Sequence, residues 1–137
     1  MSSSERGSVT IWMLGLSLLL LVFGGLALDY WRGLALQREL AAVADSAAIA
    51  GASGIDEGHY RATGEVRLDP SRSRSLALLS VDTQGIAPTS VEVDVTTSAV
   101  SVVVSGEVAL GLMGVFIDES EPLMVTGSAT ASPRLVP

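Results

Sequence analysis

The sequence predicts an α+β fold in which a long N-terminal helix, apolar all round at its start and amphipathic after it, packs on a small, mainly antiparallel β-sheet. Three observations carry this. Val9–Leu28 is a run of twenty residues without a formal charge. Asp29–Ala52 is built from strong helix formers and carries an apolar stripe at helical spacing. The second half then holds three stretches in which apolar and small residues alternate with polar ones, the period of a half-buried strand. A chain of 137 residues has room for one small domain and an appendage.

The apolar run, VTIWMLGLSLLLLVFGGLAL, spans roughly 30 Å as a helix, the thickness of a bilayer's hydrocarbon core. Thr10 and Ser17 are its only polar side chains, and a helix returns their hydroxyls to its own carbonyls. Trp12 near one end, and Tyr30 and Trp31 just past the other, stand where amphipathic rings favour the membrane interface. A cleaved secretory signal is the main rival. The small-x-small pattern Ala42-Val43-Ala44 lies far beyond the apolar run, however, after Asp29, Arg32, Arg38 and Glu39. A retained single span is therefore expected.

Arginine alone, with Arg6 before the span and Arg32 and Arg38 soon after it, slightly favours the opposite of a translocated C-terminal region. The short tail before it and the large acidic part after it favour the N-terminus inside. The expected organisation is a short cytoplasmic, leader-like tail (1–8), a transmembrane helix (9–28), an amphipathic continuation (29–54) and a small extracytoplasmic α+β domain (55–137), held in the cytoplasmic membrane.

In the continuation, Leu36, Leu40, Val43, Ala47 and Ala50 fall at spacings of four and three, a seam suited to another helix or to the domain's own sheet. Gly51, Gly54 and Gly58 are expected to end the helix, and Gly51–Glu65 reads as a loop containing His59 and Tyr60. Asp69-Pro70-Ser71 is a helix start, with Asp69 as N-cap and Pro70 in the first turn. The helix that follows should bury Leu76, Leu79 and Val81 and end before Gly85. Val91, Val93 and Val95 form the first strand, Thr97-Ser98 the turn, and Val100, Val102 and Val104 the second. Leu110–Ile117 is a short helix or an apolar loop, and Leu123–Ser132 is the third strand.

Composition narrows the function. All eight basic residues are Arg against fifteen acids, and the net charge of −7 resides after the span, so nucleic acid is not an expected partner. The absence of cysteine removes disulfides, thiolate nucleophiles and Cys-based zinc sites. His59, the single histidine, has no second His or Cys to form a metal site. Asp118, Glu119 and Glu121 cluster in a turn without the ligand spacing of a calcium loop. No phosphate loop, nucleophile elbow or metalloprotease helix occurs in the sequence. No enzymatic activity, cofactor or metal is expected.

The N-terminal 52 residues carry a family resemblance. A Gly precedes the span, Asp29 closes it, Arg32 follows, and Leu40, Val43, Asp45, Ala47, Ala48, Ile49, Ala50 and Ala52 then stand in a spaced Ala-rich run. This stretch resembles the TadE/TadG-like proteins of Flp-type (tight adherence) pilus assembly, with Ala41 in place of the family's usual Gln. The resemblance implies a pilin-like architecture, a structural or assembly role, and partners among membrane lipid, other pilus or secretion assembly proteins and copies of the chain itself. It marks Asp29, Arg32, Leu36, Leu40, Val43, Asp45, Ala47 and Ala50 as candidate assembly contacts, and Gly7-Ser8 as a candidate leader cleavage point. Processed pilin-like members carry a Glu five residues after the cleaved Gly, where this chain has Trp12; the departure fits an accessory, minor member rather than a main fibre pilin. The alternative is a membrane-tethered binding module with no pilus role. Against it, Phe116 is the only aromatic residue from Val91 onward.

Overall fold

The computed structural model describes residues 4–111, 114 and 122–134. Helix α1 runs unbroken from Ser4 to Ala52, 49 residues, or about 74 Å at 1.5 Å per residue. Neither the glycines within the apolar run nor Gly33 interrupts it. The run supplies helix formers on every face, and Ser17 Oγ donates to the Met13 carbonyl at 2.8 Å, satisfying a hydroxyl without leaving the helix.

Two short helices follow. Helix α2, Glu57–Thr63, occupies the stretch expected to be a loop. Asp56 caps it, its carboxylate accepting from the His59 N–H at 3.0 Å, and Gly64 closes it at φ 76 with its N–H on the Tyr60 carbonyl. Gly58, expected as a breaker, lies inside this helix of about two turns, where the two caps outweigh its poor propensity. Helix α3, Pro70–Thr83, begins as expected, with the Asp69 carboxylate accepting from the N–H groups of Ser71 (2.9 Å) and Arg72 (3.1 Å). Its buried face is Ser73, Ala77 and Val81 rather than Leu76, Leu79 and Val81. Leu79 is exposed and Leu76 only half-buried. The small residues win the inner face because α3 lies tightly against the end of α1, where a Cβ added at Gly51 would meet the Ala77 Cβ at 3.3 Å, and against the segment just after it. A Cβ added at Gly54 would meet the Ser73 Cα at 2.8 Å, and Ser73 Oγ donates to the Gly54 carbonyl at 3.2 Å.

Strands β1 (Ser90–Val95), β2 (Val100–Val108) and β3 (Leu123–Ala131) form one antiparallel sheet in the order β1-β2-β3. Val93 pairs with Val102, Val102 with Ala129, and Val104 with Gly127, so the alternating valines share one face. The β1–β2 turn is held by the Thr96 hydroxyl, which accepts from the Ala99 N–H at 3.0 Å. Helices α1 and α3 cover the valine face. The core between the layers comprises Leu40, Val43, Ala44, Ala47, Ala48, Leu68, Ala77, Val81, Val93, Val100, Val102 and Val104. The predicted fold, a long helix on a small antiparallel sheet, is the one observed. The expected helix or apolar loop over Leu110–Ile117 and the acidic turn of Asp118, Glu119 and Glu121 fall largely or wholly outside the described residues.

Candidate assembly surface and membrane boundary

The helix α1 changes environment along its length. From Val9 to Leu28 most large side chains are exposed, Trp12 at 77% and Phe23 at 61%, while Val22 and Leu26 are half-buried and Gly25 is buried. Among the described residues, this is the one helix long and apolar enough to cross a membrane. From Leu36 upward, one side of the same helix lies under the sheet. Of the predicted seam, Leu40, Val43 and Ala47 are fully covered by the chain's own core, Leu36 packs against its edge, and Ala50 is half-buried. Ala44, Ala48 and Gly51 complete the buried face. The seam therefore has an intramolecular occupant.

Gly127 decides how closely the layers meet. Its Cα faces the α1 backbone at Leu40 and Ala41 so tightly that an added Cβ would lie 2.8 Å from the Ala41 Cα and closer still to the adjoining peptide. A glycine within an otherwise alternating strand is the sequence signal for such an approach.

Asp29 lies just past the apolar run, between the mostly exposed part of α1 and the part under the sheet. It is 5% exposed, and its Oδ1 accepts a hydrogen bond from the Gly111 N–H at 3.1 Å, just beyond the end of β2. Arg32, one turn on, places a guanidinium nitrogen 3.7 Å from the same oxygen while remaining largely exposed. Asp29 is thus met inside the chain, by a backbone donor that no sequence motif announced. Gly111 is the residue that permits it, since a Cβ there would lie 2.8 Å from the Asp29 Oδ1.

Between this point and β3 runs an apolar groove of about 240 Å³, lined by Tyr30, Leu34, Gln37, Leu110, Leu123 and Val125 among others. On the outward side of upper α1, Arg38, Glu39, Ala42, Asp45, Ser46 and Ile49 are exposed. A wider, open groove of about 770 Å³ adjoins that side, with Asp45 and Ile49 on one wall and Thr130, Ala131 and Arg134 on the other. His59 sits in α2 with its Nε2 3.9 Å from a Glu65 oxygen. No cluster of three metal-ligating side chains occurs among the described residues.

One helix thus joins a largely exposed apolar stretch, long and apolar enough to cross a membrane, to the core of a small sheet domain. Residues 7–54 match the family model described as putative Flp pilus-assembly TadE/G-like. The match covers α1 and the two residues after it, the same stretch that carries the sequence resemblance, and leaves the sheet domain outside it. No curated protein and no solved structure matches the chain.

Proposed function

We propose that this chain is a membrane-anchored, accessory TadE/TadG-like component of an Flp-type pilus-assembly or related secretion apparatus, with a structural rather than catalytic role. The observation that carries the reading is the coincidence of the family match, residues 7–54, with a single continuous helix, Ser4–Ala52. The matched unit is therefore one mechanical element, half bare and half clad. In this reading Val9–Leu28 anchors the chain in the cytoplasmic membrane with its N-terminus inside, and the sheet domain stands on the extracytoplasmic side.

Other assembly proteins, and copies of the chain, meet the surfaces α1 leaves open: the lipid-facing span, and the outward face with Asp45 and Ile49. Leu40, Val43 and Ala47 serve assembly indirectly, by fixing the domain on the helix. Trp12 occupies the position of the docking Glu of processed pilins, so cleavage after Gly7 is absent or inefficient, which intact-mass measurement of the membrane protein reads directly.

The test is co-purification of the tagged full-length chain, in mild detergent, with secretion-ATPase-containing and polytopic assembly complexes. Asp45→Arg, an exposed change on the outward face, should abolish the association while leaving membrane insertion intact. If the unmodified chain purifies with none of these proteins, the reading falls and a tethered binding module replaces it.

A further inference from the structure

The end of the sheet nearest the span is more apolar than a solvated domain edge should be. Val108 pairs with Leu123 at the last rung of the β2–β3 ladder. Beyond that rung, Leu110 and Gly111 lie against Asp29 and the groove described above. Leu123 and Met124 are 51% and 55% exposed, and Tyr30 and Trp31 on the adjacent helix are 71% and 66% exposed. Five large apolar or aromatic side chains, counting Leu28, are thus open to their surroundings at one level of the molecule.

The level is set by α1. Tyr30 stands roughly 3 Å and Leu34 roughly 9 Å along the helix axis beyond Leu28, where the apolar run ends. The headgroup and interfacial layer of one leaflet is about 5–8 Å deep. The lower part of the groove, where Tyr30 and Leu110 meet Leu123, therefore falls within that layer when the run fills the hydrocarbon core. Charge divides at this edge: Glu107, cross-strand from Met124, is exposed and stands on the outer face of the sheet, whereas the charges on the helix side suit a lipid headgroup. The carboxylate of Asp29, which would repel lipid phosphates, is covered and bonded to Gly111, while the Arg32 guanidinium beside it is exposed where phosphates lie.

We propose that this edge is a membrane-seated foot: Leu110, Leu123 and Met124, with Tyr30 and Trp31, rest in the interface of the leaflet, and a lipid occupies the groove between α1 and β3. Lipid contact is then continuous from the span onto the domain, and the sheet is held down on the bilayer at a second point. The inference rests on Val9–Leu28 being a membrane span, and the experiment separates the two.

The chain has no cysteine, so single cysteines report unambiguously. The full-length variants Phe23→Cys (span), Leu123→Cys and Met124→Cys (foot), and Ile49→Cys (far end of the helix) are labelled with an environment-sensitive fluorophore. Each is reconstituted in phosphatidylethanolamine–phosphatidylglycerol vesicles carrying a nitroxide either at the glycerol level or deep in the acyl chains. The expected result is strong quenching of Phe23 by the deep nitroxide, strong quenching of Leu123 and Met124 by the shallow one, and none of Ile49. If Phe23 is quenched while Leu123 and Met124 are not, the foot is overturned and the span stands. If Phe23 is not quenched either, the span reading fails and takes the foot with it. Leu123 shielded from a water-soluble quencher, unquenched by lipid and cross-linked to a second copy would overturn the lipid in favour of self-contact.

Discussion

At Asp29 two partners of unequal weight meet one oxygen. The Arg32 contact joins a covered carboxylate to an exposed guanidinium at 3.7 Å, and such pairs contribute little once solvent screens them. The Gly111 N–H bond ties the segment after β2 to the helix 82 positions earlier in sequence, at the end of the apolar run. Asp29→Ala leaves that N–H without its acceptor and should lower stability by about 1–3 kcal/mol. Asp29→Asn keeps an acceptor and should lose less. Thermal unfolding of the detergent-solubilised protein orders the two variants. Gly127 is the second such residue, limited by space rather than polarity. The backbone of α1 at Leu40 and Ala41 occupies the place of any Cβ, and a helix backbone yields less easily than a side chain. Gly127→Ala should therefore cost at least the roughly 1–3 kcal/mol typical of overpacking, read in the same melt.

Among the elements, α3 offers a titratable test. The Asp69 carboxyl is held below its ordinary value, first by the Ser71 hydroxyl and then by the backbone N–H groups of Arg72 and Ser71. Because the folded value is depressed, the cap's contribution is fully present above the unfolded Asp value and is lost as pH falls through the folded one. Unfolding followed by circular dichroism should show α3 weakening only in acid, below about pH 4. Asp69→Asn, which still caps, should abolish that dependence, and Asp69→Ala should lower the midpoint at every pH. The start of α3 was legible in sequence because a cap and a proline are local chemistry. The three strands were legible because valines at period two admit few other readings. The inner face of α3 was not: hydrophobicity favours Leu76 and Leu79, but the close approach of α3 is set by Gly51 in α1 and Gly54 just after it, against which Ser73 and Ala77 pack. Helix α2 was hidden for a related reason, since Gly58, one of the glycines that suggested a loop, lies in its interior between an Asp56 cap and a Gly64 C-cap. At the boundary, Asp29 and Arg32 stood out in the sequence, whereas Gly111, a backbone donor supplied from far along the chain, left no signal.

For the whole molecule, the proposed assembly role together with the division of α1 into open and clad faces predicts which positions other copies would meet. Ala42→Cys and Ile49→Cys, on the open face, should form disulfide-linked dimers on oxidation in native membranes. Ala47→Cys, under the sheet, should not, and non-reducing electrophoresis separates the outcomes. Dimers through Ala47 alone would mean that the sheet leaves the helix during assembly. The unbroken passage of α1 from span to domain has a mechanical corollary. No linker decouples the two, so the domain has the same inclination as the anchor. Spans respond to bilayer thickness by tilting, commonly by some 20°. The part of α1 above Asp29 is a lever arm of about 35 Å, so each additional 10° of tilt carries the far end of the domain sideways by about 6 Å. With Val9–Leu28 as a span, lipid thickness would thereby be converted into lateral displacement at the far end of the domain, and a neighbour docked there would feel the composition of a membrane it does not touch.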